Sequence, residues 1–269
     1  MPNYSSLAPV FFISHGAPTF ALEPGQLGPQ LTTLGQQLGP VEAVLVVSPH
    51  WQTREVQVMT TAQPETQHDF GGFARALYEL HYPASGHPLL ASLTAEALQQ
   101  AGWGVRLEAQ RGLDHGAWVP LRHLLPDAQV PVFQVSMPHN LSTAQALALG
   151  QALAPLRAQG VMIVASGSMT HNLHEYRQGE VPAADYAVEF TRWVRQAVSA
   201  NDAQSLVNYA RLAPHAQRAH PTEEHYLPLL VAMGAHSAGE AFRLIDGGVV
   251  NGILSMESYA WGLPAGTGA

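Results

Sequence analysis

Two stretches leave the chain little freedom of fold: Ala43-Val44-Leu45-Val46-Val47 and Val161-Met162-Ile163-Val164-Ala165 are apolar at every position. A strand with one face in water alternates polar and apolar residues, so an unbroken β-branched run belongs in a sheet covered on both sides. Ala8-Pro9-Val10-Phe11-Phe12-Ile13-Ser14 and the run Val130 to Met137 read in the same way. Between these runs the apolar spacing turns helical. Leu27, Leu31, Leu34 and Leu38 mark one amphipathic helix, and Pro88 to about Gln100 a second. Ser142 with Gln145 three residues on is a capping-box signature that opens a third, running to about Ala158. Helices are also expected from about Ala183 to Ala200, from Asp202 to about Leu212, and from near Thr222, where Pro228 should kink the segment or delay its start. Phe242 to Ile245 and Val249 to Ser255 are expected as closing strands, joined in a hairpin by Asp246-Gly247-Gly248.

Strands alternating with helices define an α/β fold, here a three-layer α/β/α arrangement around a mostly parallel central sheet. No repeat, linker tract or shift in composition divides the chain, so residues 1–269 are expected to form a single catalytic domain. The net charge is −8 and no basic run occurs, which argues against nucleic acid as a partner. No stretch of about 20 apolar residues suggests a membrane span. Cysteine is absent, so disulfides, thiolate metal sites and a cysteine nucleophile are excluded. Met1-Pro2-Asn3-Tyr4-Ser5-Ser6 lacks the pattern of a signal peptide, and a cytoplasmic enzyme is the expectation, with an oligomer left open. No Walker or Gly-x-Gly-x-x-Gly pattern calls for a nucleotide, and Ser166-Gly167-Ser168 lacks the second glycine of a hydrolase elbow.

Histidine carries the chemistry. The chain has 14 of them against 12 lysines and arginines together. Four apolar runs are each followed by one: Ser14-His15-Gly16-Ala17-Pro18, Ser48-Pro49-His50-Trp51, Ser136-Met137-Pro138-His139-Asn140, and Ser166-Gly167-Ser168-Met169-Thr170-His171-Asn172. Open α/β sheets bind ligands beyond the carboxyl ends of their strands, so His15, His50, His139 and His171 are expected along one edge. Leu113-Asp114-His115-Gly116 precedes a short helical run, Ala117 to Leu125. The segment Pro214 to His225 is dense in metal-ligand types. Thr222 is expected to cap there, placing Glu223, Glu224 and His225 in a first helical turn. Acidic residues suit a helix N-terminus, whereas an imidazolium does not, and a neutral, metal-bound His225 fits better. Three imidazoles with an open position suit catalytic zinc, and two imidazoles with a carboxylate suit non-haem Fe(II). His-Glu-x-x-His spacing is missing, so the ligands must come from distant positions.

Taken together, the motifs around His15, His50, Asp114-His115, His171-Asn172-Leu173 and Glu224-His225 resemble the class III extradiol ring-cleavage dioxygenases. Within the LigB-like superfamily they are most similar to the DOPA-dioxygenase subgroup. The motifs occur in order from residue 11 to residue 230, and the closing strands extend the likeness to about residue 262. The resemblance implies that His15, His50 and His225 are metal ligands, with His225 standing where protocatechuate-cleaving relatives have a glutamate. It implies that His171 is the acid/base group, near enough in the DOPA-like subgroup to count as a fourth ligand. His115, with Asp114 beside it, matches a position lining the substrate pocket, where His115 would hydrogen-bond oxygen or substrate. Trp51 and Phe70 are candidate apolar walls. The implied cofactor is one divalent ion, Zn2+ or Fe2+, and the implied partners are a catechol-type substrate and O2. A neutral imidazole in place of a carboxylate leaves the centre one unit more positive, favouring a doubly ionised catechol and also suiting zinc. Glu223 or Glu224 as a carboxylate ligand stays open.

Two other functions would use the same histidines. A zinc-dependent hydrolase, with His171 as proton shuttle, would act on esters or amides without oxygen. A metal-sequestering protein would group its histidines in exposed tracts rather than singly at strand ends.

Overall fold

The unbroken apolar runs occupy the middle of one eight-stranded sheet. The computed structural model describes residues 7–179 and 181–264. Its strands in chain order are β1 (Val10–Ser14), β2 (Ala43–Thr53), β3 (Val56–Met59), β4 (Val105–Glu108), β5 (Val132–Pro138), β6 (Val161–Gly167), β7 (Phe242–Ile245), β8 (Val249–Val250), β9 (Leu254–Ser255) and β10 (Ser258–Trp261). The large sheet has the order β4-β3-β5-β2-β6-β1-β10-β7, and β8 pairs with β9 in a separate ribbon. Parallel pairing runs from β5 through β2 and β6 to β1. All of β1 and β6 is buried, as is β2 up to Pro49. Such strands need cover on both faces, and the helices supply it.

The Thr143–Leu153 and Leu227–Ala235 helices pack on each other, the latter over β6, with Pro88–Gln100 beside them against β3 and β4. The Leu27–Gln37 and His115–Leu124 helices pair on the other face, over β2 and β6. Every residue of Leu227–Ala235 is buried, as its lack of polar residues demands. Local signals place the helix starts. Pro88 opens one helix behind His87, whose Nδ1 accepts the Leu90 N–H at 3.2 Å. Ser142 and Gln145 close both arms of the capping box at 3.3 and 3.0 Å.

Several expectations need correction. The centre of the sheet is parallel as expected, and β4 is parallel to β3, but β3 runs antiparallel to β5, and β10 and β7 add an antiparallel flank beyond β1. Phe242–Ile245 does not form a hairpin with the segment after Asp246. It pairs instead with Ser258–Trp261, while Val249–Val250 turns back on Leu254–Ser255. That turn contains Asn251 and Gly252 at φ of +53° and +74°, the left-handed region that asparagine and glycine tolerate best. The helix expected from Thr222 begins only at Leu227, with Pro228 in its first turn. A start at Thr222 would bury Pro228 in the helix interior, where its ring would collide with the carbonyl four residues back. The helix expected over Asp202 to Leu212 breaks at Asn208 into Ala203–Val207 and Tyr209–Leu212. Among the described residues no helix is long and apolar enough to cross a membrane.

Candidate metal centre

The carboxyl ends of β1, β2 and β6 deliver three elements to one place. His15 directly follows β1, and its backbone N–H continues the parallel ladder by donating to the Gly167 carbonyl at 2.9 Å. Its ring Nδ1 lies 2.9 Å from Ser166 Oγ. With that nitrogen occupied, Nε2 faces inward, 3.1 Å from His50 Nε2. His50 does not follow β2 as expected; it lies within the strand, where the pairing with β5 shifts register between Val47 and Gln52. Irregularities of this kind re-aim side chains, and here the strand carries His50 over the end of β1. Gly116 permits the approach from the opposite side. A Cβ there would stand 2.3 Å from Ser48 Oγ and 2.9 Å from His50 Cδ2, so only glycine lets the His115–Leu124 helix close on β2. His115, at the start of that helix, consequently lies with its ring centre 3.9 Å from that of His50.

His225 arrives from the loop before the last helix. Its carbonyl accepts the Ser168 N–H at 2.9 Å, and a Cβ on Gly167 would stand 2.5 Å from that carbonyl. The ring centre is 5.4 Å from His15 and 5.1 Å from His50. Glu224 Oε1 meets His225 Nδ1 at 3.0 Å and accepts from Thr222 Oγ at 2.9 Å. Thr222 thus binds Glu224 rather than capping a helix. His225 Nε2 is buried and has no partner among the described residues. His171 stacks on His225 with ring centres 3.5 Å apart and planes 11° apart, its backbone N–H held by the Ala219 carbonyl at 2.8 Å.

The electrostatics favour neutral rings. Burial holds His15 and His225 well below the usual imidazole range, and the neighbouring imidazoles press in the same direction. Burial, joined by His115, lowers His50 to about 4 against the opposing pull of Asp114 and Asp69. Burial also lowers His171, although Glu224 works against it. Neutral imidazoles keep the lone pairs that a metal needs. Two nitrogens bound at about 2.1 Å to one ion stand about 3.0 Å apart at a right angle and about 3.4 Å apart at the tetrahedral angle, a range that includes the 3.1 Å between the His15 and His50 Nε2 atoms. The orphaned Nε2 of His225 supplies a third donor of the same kind. One ligand atom each from His15, His50 and His115 also lies within 4.8 Å of the others, as do those of His171, Glu224 and His225. The residues present therefore fit a divalent ion held by neutral nitrogens.

Asp114 lies elsewhere than expected. It is fully buried, as the N-cap of the His115–Leu124 helix, with no surface open to solvent. Its Oδ1 accepts from Ser48 Oγ at 2.8 Å and from the Ala117 N–H at 3.2 Å. Its Oδ2 accepts from Gln134 Nε2 at 2.8 Å and Arg111 Nη2 at 3.0 Å. Trp51 is buried under the Arg111 guanidinium, 4.7 Å from its ring centre, rather than against the imidazoles. Phe70 does meet the cluster, edge-on to His115 at 5.6 Å, and leads into Tyr78 and Trp118. His139 is exposed after β5 and joins none of these groups. A cleft of about 660 Å³ opens from Ala17 towards Tyr176, Asn251 and Met256, yet none of the five clustered histidines lines it.

Sequence reading passed over Asp69. Burial pushes its carboxyl up, but the ring and backbone N–H of His115 outweigh that and hold it below the usual range. It sits in an irregular segment with no periodicity, and only its adjacency to His68 and Phe70 hinted at a role.

His220 lies behind the centre, fully buried, with Nε2 2.9 Å from the Met169 carbonyl. Burial lowers its pKa from 6.5 to about 4, against that hydrogen bond. Above the unfolded value both states are neutral and stability is unaffected. As pH falls below 6.5 the unfolded chain takes a proton that the folded one refuses until about 4. Stability of the metal-free protein is therefore expected to drop on acidification through this window, by up to about 1.4 kcal/mol per pH unit from this histidine. Urea midpoints measured at about pH 7.5, 6 and 5 should decline in order, and His220→Gln should flatten the decline. Equal midpoints would contradict the assignment.

Comparison with known proteins gives the arrangement its class. The chain belongs to the family of catalytic LigB subunits of aromatic ring-opening dioxygenases, whose profile matches residues 10–246. It is 36% identical over 263 residues to a 4,5-DOPA dioxygenase extradiol of Beta vulgaris, covering 96% of this chain and 98% of that one. It is 37% identical over 262 residues to the protein of the same description from Escherichia coli K12, covering 96% of each. A crystal structure of an uncharacterized Escherichia coli K12 protein superposes with a TM-score of 0.78 at 32% identity, covering 94% of this chain and 99% of that one. The fold and class expected from the motifs are those found, and the chain is an extradiol dioxygenase by these relationships.

Proposed function

We propose that this protein opens a catechol-type ring, DOPA or a close analogue, beside its two hydroxyls, incorporating O2 to give a muconic semialdehyde-type product. The observation that carries the reading is the convergence of three rings: His15 and His50 meet through Nε2 atoms 3.1 Å apart, and the His225 ring lies 5.4 and 5.1 Å from theirs with its own Nε2 buried and unpartnered among the described residues. These three would hold one divalent ion, Fe2+ or Zn2+, with His171 close enough to be a fourth. When bound, the ion supplies concentrated positive charge and, if it is iron, one-electron chemistry. Because the three donors are neutral, that charge is undiminished and favours ionised catechol oxygens. Glu224 is engaged by Thr222 and by Nδ1 of His225, which supports a positioning part for it rather than ligation.

The chain's own groups divide the remaining work. His171, neutral near pH 7, accepts a proton from a catechol hydroxyl and returns it as the ring opens. His115 turns its ring towards the same space and hydrogen-bonds substrate or oxygen. Phe70 provides an apolar wall beside His115, so that a flat ring meets one greasy face and a few polar anchors. A continuous hydrophobic core joins all the elements that bring these groups together, which supports a single catalytic domain.

The test is to load the protein with Fe(II) without air, add DOPA or another catechol, and then admit oxygen. One O2 taken up per catechol with a yellow semialdehyde formed is the expected result. Intact catechols across a broad panel, with ester or amide hydrolysis by the zinc form in the absence of oxygen, would replace this reading with a hydrolase.

A further inference from the structure

Asp69 belongs to a segment without regular secondary structure, yet its place is closely determined. Thr66 bridges Leu113 in parallel fashion, with Gln67 N–H to Leu113 O and Leu113 N–H to Glu65 O both at 2.8 Å. The Trp118 indole donates to the Gln67 carbonyl at 2.9 Å. These bonds lay the segment across the start of the His115–Leu124 helix. Asp69 Oδ1 there accepts the His115 backbone N–H at 2.8 Å and lies 3.0 Å from His115 Nδ1. The other oxygen, Oδ2, lies 4.0 Å from His50 Nδ1. A single carboxylate thus touches the backbone and ring of one histidine and faces the ring of the next.

The approach to His115 Nδ1 is a charge-assisted contact more than a well-aligned hydrogen bond, since one oxygen serves two donors. Its sense is nevertheless determined. A carboxylate facing an imidazole lone pair repels it, so the proton sits on Nδ1 and the lone pair on Nε2. We propose that Asp69 is a positioning residue: it fixes the tautomer and ring orientation of His115, so that Nε2 presents an acceptor to the space above the imidazole cluster. A neutral His115 held this way accepts a proton or a hydrogen bond from a substrate hydroxyl and cannot donate one from Nε2. The part played in catalysis rests on the ring-opening reading above; the tautomer does not.

Asp69 also serves the otherwise unpaired His115 N–H in the first turn of a helix, so the experiment separates positioning from capping. Zinc-loaded protein labelled with 15N-histidine reports each ring tautomer, and His115→Gln identifies the signal. Wild type should show the proton of His115 on Nδ1. Asp69→Asn keeps an acceptor oxygen in place and should retain that tautomer, with kcat for catechol cleavage within about fivefold of wild type. Asp69→Ala should mix or reverse the tautomer and lower kcat by about 10- to 100-fold, with KM and zinc affinity little changed. A wild-type proton on Nε2, or an Asp69→Ala protein with unaltered tautomer and kcat, would overturn the proposal. So would an Asp69→Asn protein as slow as Asp69→Ala with its tautomer intact, since charge alone would then account for the loss. If no catechol is opened by the iron-loaded wild type, the nitrogen spectra still decide the role of Asp69.

Discussion

Exchange of His225 for alanine is expected to lower metal affinity by at least about 100-fold, beyond the 10- to 100-fold that removal of an outer partner costs, and to abolish ring cleavage with it. The reason lies in the geometry of its two nitrogens. Nδ1 is held by Glu224 at 3.0 Å, and Nε2 is buried without a partner among the described residues. An orphaned nitrogen of this kind is costly to bury unless something occupies it. Removing the ring takes away one donor of three and the surface on which His171 stacks. The folded chain should survive, because the His225 carbonyl still receives the Ser168 N–H. Metal content after dialysis, a competition titration against a chelator, and kcat in the iron-loaded form measure the effect. Full metal occupancy at wild-type affinity in His225→Ala would remove this residue from the ligand set.

Asp114→Ala is expected to act on the whole molecule instead. The carboxylate is inaccessible to solvent and collects Ser48, Arg111, Gln134 and the first turn of the His115–Leu124 helix. Without it the Arg111 charge, one-fifth exposed at 19%, loses its counter-ion, and the helix loses its cap. Breaking a buried pair from one side costs about 3–5 kcal/mol. In a chain of this size that corresponds to a melting temperature about 10 °C lower. Activity should fall too, because Arg111 also holds the His50 carbonyl at 3.2 Å. Thermal melts of Asp114→Ala and Asp114→Asn give the answer, the amide variant lying between. A melting point for Asp114→Ala within a degree or two of wild type would mean that the network contributes little.

The central strands and the site histidines were legible because each leaves a local mark. Continuous apolar runs, a proline behind His87 and the Ser142–Gln145 pair act within a few residues of themselves. The ends of β1 and β6 could be seen, and so could the histidines that follow them. What escaped depends on partners far along the chain. Val105-Arg106-Leu107-Glu108 is a half-exposed edge strand, with no unbroken run to announce it. Ser258–Trp261 is a strand because β1 and β7 lie on either side of it. Asn251-Gly252 marked the true turn, but Asp246-Gly247-Gly248 offered a competing one of similar chemistry. At the site, Asp114 was noticed for its neighbour His115, whereas its actual contacts come from residues 48, 111 and 134. Asp69 had no local signature beyond its neighbours His68 and Phe70; its importance comes from the bridge between Thr66 and Leu113.

The position of β1 has a consequence for how the molecule comes into being. The earliest strand of the sheet lies between β6 and β10, neighbours contributed by residues 161–167 and 258–261. During synthesis it must wait, unpaired and greasy, until residues 161–167 have emerged, and until residues 258–261 have emerged before its second flank is covered. Assembly governed by such remote pairings is slow, and apolar segments stay open to aggregation meanwhile. Capture of an ion by His15, His50 and His225 together would therefore report that the segment around His225 has docked beside the ends of β1 and β2, making metal uptake a marker for that late step of assembly.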